Sequence, residues 1–189
     1  VVDRAAAHVL LHRGADATVR DFEPWGCDER QFCSPGFDLP VGCLMRTPPG
    51  EFAENHTSAD DLSFVTPEAL DDSGRACLEI LAILEEDRTL VNTAPLGEPQ
   101  LGRRGLFRAA GGAGAGGGAD LPDERALLWV LNQADGSNTL IDIAERSGMR
   151  FDAIRTAARA LEAAELLEDP VVAPPAPDPA TTPTSREGA

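Results

Sequence analysis

The run GGAGAGGGA, from residue 111 to residue 119, constrains the architecture more than any other feature of the sequence. Glycine and alanine offer almost no side-chain surface from which to build a core, so such a run is typical of a flexible linker. We therefore expect two folded units, residues 1–108 and residues 120–169, joined by a linker at 109–119. The Pro-rich stretch 170–189 holds too few apolar residues to fold and is predicted to be disordered.

The first unit is predicted to mix helices with short strands. Residues 1–12 place apolar side chains at helical spacing, and a short extended run is predicted after Gly14. Val41, Cys43 and Met45 fall at every second position of the stretch LPVGCLMRT, which predicts a half-buried strand. The start of this unit is therefore expected to run from a helix to a first short strand after Gly14, and then through loops to a second strand.

A long helix is predicted to follow Thr66. Thr66 can act as the N-cap, and Pro67 suits the first helical position because its missing N–H has no helical partner there. One apolar stripe is expected to face the core, formed by Leu70, Cys77, Leu78, Leu81 and Leu84.

The second unit has three helical patterns in under 50 residues. Asp123 and Thr139 are predicted N-caps of the first two helices, and the third begins at Arg150 or Phe151. The short RSGMR turn between the second and third helices indicates a helix-turn-helix, and LEAAELLED is expected to lead into a small wing. The predicted inner faces are formed by Ala126, Leu127, Val130, Leu131, Leu140, Ile143, Ala144, Ile154, Ala158, Leu161 and Leu166.

Charge argues against nucleic acid as a partner. The chain has 32 acidic residues and 16 basic ones, all arginine, for a net charge of −16. The would-be recognition helix offers Arg150, Arg155 and Arg159, but residues 120–169 contain eleven acidic residues against five arginines. Because phosphate neutralisation supplies most of the affinity of such modules, we expect the helix-turn-helix to pack or dock on protein rather than bind DNA.

The cellular compartment is predicted from two signals that the sequence lacks, a membrane-spanning segment and a signal peptide. No apolar run approaches the roughly 20 residues needed to cross a bilayer, and residues 1–20 do not have the pattern of a signal peptide. We expect a cytoplasmic protein with no membrane partner, and one that begins inside a domain because Val1 already lies in a helical pattern. Whether it forms a homo-oligomer stays open.

The histidines and cysteines are the candidate metal ligands. His8 and His12 have i,i+4 spacing but no Glu follows His8 as in the metalloprotease helix, so a solvated helix face is predicted. The four cysteines match no zinc-site spacing and are expected to be reduced. His56 lies in a polar turn just before Asp60 and Asp61, and it is either a solvated loop residue or one ligand of a metal site.

Three motifs point together to a known family. The combination of CDERQFCSPG, HTSADDL and GEPQLGRRGL, followed by the helical module, resembles the closing segment of zinc-dependent aminopeptidase-like proteins. More narrowly, it resembles a bacterial family of uncharacterised function in which an aminopeptidase-like domain precedes a winged helix. The resemblance spans residues 1–169. It implies an α/β fold: an incomplete three-layer α/β/α aminopeptidase-like domain followed by a small, mainly α winged-helix module.

The resemblance also implies a metal site. It places the last zinc ligand of such peptidases on His56, with Thr57 and Asp60 or Asp61 as supporting residues. The other ligands would come from upstream segments that this chain does not contain. A hydrolytic zinc needs about three protein ligands, so the chain alone is expected to be inactive.

A substrate pocket is implied in the same way. Asp28 falls where the relatives place an acidic residue near the pocket. Glu29 and Arg30 could bind the terminus of a peptide or amide substrate, but exposed surface charge is the favoured interpretation of that pair. Asn55 departs from the aromatic residue that relatives often have. Two functions stay open: a zinc-dependent aminopeptidase-like hydrolase, and a non-catalytic interaction protein whose winged helix docks a partner.

Overall fold

The computed structural model describes residues 1–14, 17–24, 28–107 and 121–171. The predicted linker at 109–119 lies outside these residues, as does nearly all of the predicted tail. Six α-helices are described: α1 (Val2–Leu11), α2 (Glu29–Phe32), α3 (Pro67–Glu86), α4 (Glu124–Gln133), α5 (Leu140–Ser147) and α6 (Phe151–Ala163). A short 3₁₀ helix spans Leu101–Arg104.

One small sheet contains the three strands described, β1 (Thr89–Asn92), β2 (Asp135–Thr139) and β3 (Leu167–Glu168). β1 lies in the centre and pairs antiparallel with both neighbours. The pairing aligns Val91 with Asp135 on one side and with Glu168 on the other. The chain thus has the mixed helix and strand content expected of an α/β protein, and the wing predicted after α6 is present as β3.

The position of β1 corrects the predicted domain boundary. β1 precedes the glycine-rich run, yet it forms the centre of the sheet that β2 and β3 complete. Its Leu90 is 1% exposed and belongs to the same core as the last three helices. The winged-helix unit therefore begins near residue 88 and not at residue 120, because its central strand is supplied from before the linker.

The three helices of the winged-helix unit form as predicted. Asp123 accepts hydrogen bonds from the backbone nitrogens of Arg125 and Ala126, and Thr139 forms a capping box with Asp142. Gly148 ends α5 with φ 66°, the left-handed conformation that glycine adopts at low cost. All eleven predicted inner-face residues are buried. Burial of this apolar surface is what stabilises the unit.

Residues 1–87 are helical with long connecting loops. α1 forms where predicted, but neither the run after Gly14 nor the segment around Val41, Cys43 and Met45 forms a strand among the described residues. Both strand predictions were therefore wrong. Alternation of apolar residues is not sufficient for a strand, because the backbone also needs a neighbouring strand to pair with. The described part of this region has none.

α3 begins as predicted but buries a different face. The Thr66 side chain accepts a hydrogen bond from the backbone nitrogen of Ala69, and Pro67 is the first helical residue. The buried side chains of α3 are Ala76 and Ile83, whereas Leu70, Leu78 and Leu81 of the predicted stripe are 63, 67 and 53% exposed. α1 packs against α3, and Leu84 is the member of the predicted stripe that packs, partly buried, against the core.

None of the helices in the described ranges is both long enough and apolar enough to span a membrane.

Candidate functional site

The His56 turn is an exposed loop before α3 that is held by local hydrogen bonds. His56 has φ 58°, a left-handed conformation that is uncommon for a residue other than glycine, and its side chain is exposed. Thr57 fixes the turn from both sides: its hydroxyl donates to the backbone oxygen of Glu54 at 2.8 Å and accepts from the backbone nitrogen of Ala59 at 3.2 Å. Thr57 therefore orders the loop that presents His56.

Two carboxylates follow in the same turn. Asp61 accepts hydrogen bonds from the backbone nitrogen and the hydroxyl of Ser63, at 2.8 and 2.6 Å, and these bonds lower the pKa of its carboxyl. Asp60 is exposed, and its backbone nitrogen donates to the backbone oxygen of Thr57 at 3.3 Å. The Asp61 carboxylate is therefore used in hydrogen bonds within the turn. Asp60 is the other carboxylate of the motif, and its side chain is exposed near His56 in the sequence.

The described residues do not form a zinc site by themselves. Across the described ranges, no cluster of three or more His, Cys, Asp and Glu side chains could hold a metal ion. Since a catalytic zinc takes about three protein ligands, His56 would supply one and at least two would have to come from residues other than those described.

The CDERQ segment forms the short helix α2. Asp28 is its exposed N-terminal flanking residue and makes no capping hydrogen bond with its side chain, and Arg30 is exposed. Glu29 is 7% exposed, which corrects the expectation that it is a surface charge. Among the described residues, no hydrogen bond joins the side chain of Asp28 or Arg30 to the His56 turn.

The structure reveals a junction that the sequence analysis missed, where α1, α3 and α6 meet. His8, predicted to be solvated, is 6% exposed, and its Nε2 atom accepts a hydrogen bond from the backbone nitrogen of Phe151 at 3.0 Å. Burial lowers the pKa of His8, and the neighbouring His12 adds to this effect. A neutral His8 thus satisfies one free backbone N–H at the start of α6.

Acidic residues of α3 pair with every arginine of the predicted recognition helix. Glu86 binds Arg155 at 3.0 Å and also pairs with Arg159. Glu79 lies 3.4 Å from Arg150, which precedes α6. The spacing of seven residues between Glu79 and Glu86 puts both on one face of α3. That spacing and the three arginines were visible in the sequence, but nothing in the sequence showed that they would face each other.

α1 and the end of α3 also bind α5. Arg4 pairs with Asp142 at 2.8 Å and with Glu145 at 2.6 Å, which raises the pKa of the Arg4 guanidinium. Asp87, just after α3, accepts a hydrogen bond from the backbone nitrogen of Ile141 at 2.9 Å. The helix-turn-helix is therefore docked on residues 1–87 along both of its helices.

Comparison with known proteins agrees with this division. Residues 1–87 match the family described as a domain of unknown function (DUF4910), and residues 88–169 match the winged helix-turn-helix family. The chain therefore belongs to the class of proteins in which these two domains are joined. The boundary between the two matches falls at the end of α3, which agrees with the assignment of β1 to the winged helix.

One relative, from Clostridium acetobutylicum, is named for an aminopeptidase-like domain. It is provisionally named as a polysaccharide biosynthesis protein with an aminopeptidase-like domain, and it is 49% identical over 168 residues, or 88% of this chain. A crystal structure from the same organism, provisionally described as a peptidase, matches with a TM-score of 0.75 and 45% identity over 88% of the chain. The chain spans 37% of that relative and 35% of the crystallised chain. The resemblance to the aminopeptidase-like family is thus confirmed.

Proposed function

We propose that this chain is part of a zinc-dependent aminopeptidase-like hydrolase in which His56 is one zinc ligand. The observation behind the proposal is the His56 turn, an ordered loop that presents a histidine to the outside in a chain with peptidase-like relatives. A zinc ion bound there together with further ligands would supply a Lewis acid for hydrolysis of a peptide or amide bond.

In this proposal, residues of the chain hold His56 in position and bind the substrate. Thr57 keeps the turn in shape through its two hydrogen bonds. Asp60 is the candidate to accept a hydrogen bond from the second ring nitrogen of His56, since ligand histidines are usually held in this way. Asp28 and Arg30 are exposed and are the candidates to bind the terminus of the substrate. Glu29 is buried and is a weaker candidate for this role.

The test is hydrolysis of an aminoacyl amide by a protein that contains this chain together with the rest of the aminopeptidase-like domain. His56→Ala should abolish activity, whereas Asp28→Asn should raise KM more than it lowers kcat if Asp28 binds the substrate terminus. Full activity of the His56→Ala protein would contradict the role of His56. The chain described above should show no activity alone.

The structure favours a second role for the winged helix, which is docking on protein. Arg150, Arg155 and Arg159, the residues that would contact phosphate, are already paired with Glu79 or Glu86. Binding to DNA would require these pairs to break, and the net charge of −16 adds a repulsion that salt only partly screens. We infer that the helix-turn-helix serves to hold the two domains together.

A gel shift with duplex DNA tests this role. Non-specific DNA binders reach dissociation constants of about 10⁻⁴ to 10⁻⁶ M at physiological salt. We expect no shift at micromolar protein. A salt-dependent shift that disappears in the Arg155→Ala and Arg159→Ala variants would show that the recognition helix is available to DNA after all.

A further inference from the structure

α3 has an apolar side that the described residues leave exposed. Leu70, Leu78 and Leu81 are 63, 67 and 53% exposed, and Cys77 among them is exposed as well. Because neighbours in this set are three, four or seven residues apart or adjacent, they lie with Gly74 on one side of the helix, over a length of about 16 Å. These five residues are called the α3 stripe below. The sequence analysis predicts that this side faces a core, and no core covers it among the described residues.

Gly74 lies inside the α3 stripe, well within a helix of 20 residues. Glycine inside a helix is destabilising relative to alanine, so its presence there calls for a reason. A Cβ atom at this position would meet no described atom within 4 Å, so the described residues do not require a glycine. Glycine also allows another backbone to approach a helix closely. The stripe therefore has the shape of a surface on which a further element packs.

Exposed apolar side chains are concentrated in the first domain. Of the eighteen large apolar side chains exposed in the described ranges, fifteen lie in residues 1–87 and two lie in residues 88–169. The winged-helix unit thus buries its apolar residues within itself, whereas the first domain does not. Folded proteins rarely leave contiguous apolar surface open to water unless a partner covers it. The missing cover is therefore specific to residues 1–87.

We propose that the α3 stripe is an internal packing surface, covered by an apolar face of the rest of the aminopeptidase-like domain in a longer protein. This chain spans 37% of the relative from Clostridium acetobutylicum, so most of that relative has no counterpart here. A helix that is apolar on more than one side is typical of a position between two layers. A second copy of the chain fits less well, because each copy carries a net charge of −16 and Glu68 and Glu85 are exposed near the two ends of the stripe. The proposal does not depend on a metal at His56.

Alkylation of Cys77 by N-ethylmaleimide, followed by peptide mass spectrometry, tests the proposal. Cys77 should react readily in this chain, and at least about tenfold more slowly in a protein that contains this chain together with the rest of the aminopeptidase-like domain. Leu96→Cys provides the control, because Leu96 is fully exposed in the winged-helix unit and its replacement should react equally in both proteins. Equal reaction of Cys77 in the two proteins would overturn the proposal. Protection of Cys77 that appears in this chain alone and grows with its concentration would assign the stripe to a second copy and overturn it as well.

Substitution of Gly74 tests the same packing through stability. Gly74→Leu places a helix-favouring side chain in open space in this chain, so the melting temperature should stay the same or rise. In the longer protein the new side chain would meet the covering layer, and the melting temperature should fall by at least about 3 °C. Arg75→Leu is the matched control, since Arg75 is exposed beside the stripe and its substitution should shift either protein by less than about 1 °C. An unchanged longer protein, or an equal fall in both proteins, would contradict the assignment.

Discussion

Nε2 of His8 lies 3.0 Å from the backbone nitrogen of Phe151 and accepts a hydrogen bond from it, although the two residues are 143 positions apart. Phe151 is the first residue of α6, and Arg150 before it provides no side-chain cap. The N–H groups of the first helical turn have no partner within their own helix. His8 therefore links α1 of the first domain to the recognition helix of the second.

The His8 bond predicts that stability falls in weak acid. The pKa of His8 is lowered by burial first, then by His12 and Arg150, while Glu145 and Asp152 act in the opposite direction. The unfolded chain therefore takes up the proton at higher pH than the folded one. Stability should be full above the unfolded pKa of about 6.5 and should decrease as the pH falls below it toward the lower folded value.

Thermal unfolding measured between pH 7.5 and pH 5 checks this prediction. His8→Gln keeps an acceptor for Phe151 but does not titrate, so this variant should lose less stability than the wild type over the same range. If the two proteins follow the same pH dependence, the titrating group is not His8.

The pairs between α3 and α6 predict that docking depends on Glu79 and Glu86. Replacing both by Gln removes the charged partners of Arg150, Arg155 and Arg159. These groups are partly exposed, so we expect a loss of only about 1 kcal/mol, seen as faster hydrogen exchange in α6. Glu85→Gln is the control, because Glu85 is an exposed neighbour on the same helix. An equal effect in the double variant and the control would argue against docking through these pairs.

The position of β1 predicts that alanine substitutions at two leucines before the glycine-rich run will have very different effects on stability. Leu90 is 1% exposed in the winged-helix core, and Leu96 is fully exposed. Leu90→Ala should lower the free energy of unfolding of the winged helix by about 2 to 5 kcal/mol, and Leu96→Ala by less than about 0.5 kcal/mol. Denaturant unfolding measures both. If Leu90→Ala lowers the free energy of unfolding as little as Leu96→Ala does, residues 120–169 are stable without β1.

The helices of the winged-helix unit could be predicted because their signals are local. Asp123, Thr139 and Gly148 act on backbone groups within a turn of themselves, and the inner faces follow the helical period. β2 was missed for the opposite reason. Its sequence, DGSNT, has no apolar alternation, and it is held by pairing with β1 and by Asp135, which accepts from Ser137 and Asn138. These hydrogen bonds lower the pKa of Asp135 to about 2.

The candidate site could be predicted only in part. The composition of the His56 turn was readable from the sequence, because Thr57 bonds to residues within three positions. The junction at His8 was not readable, since its hydrogen-bond partner Phe151 lies 143 positions away along the chain. For the same reason the buried face of α3 was assigned wrongly: apolar residues on both sides of a helix do not tell which side a partner will cover.

Zinc content, measured by mass spectrometry on a protein that contains this chain together with the rest of the aminopeptidase-like domain, tests the central proposal most directly. The wild type should retain tightly bound zinc, and His56→Ala should lose it, because the removal of one of about three protein ligands leaves the ion weakly held. His12→Ala, which removes a histidine from α1, should keep its zinc. Asp60→Asn should weaken zinc binding by roughly 10- to 100-fold. Equal zinc in the wild type and in His56→Ala would contradict the account and make His56 a solvated loop residue.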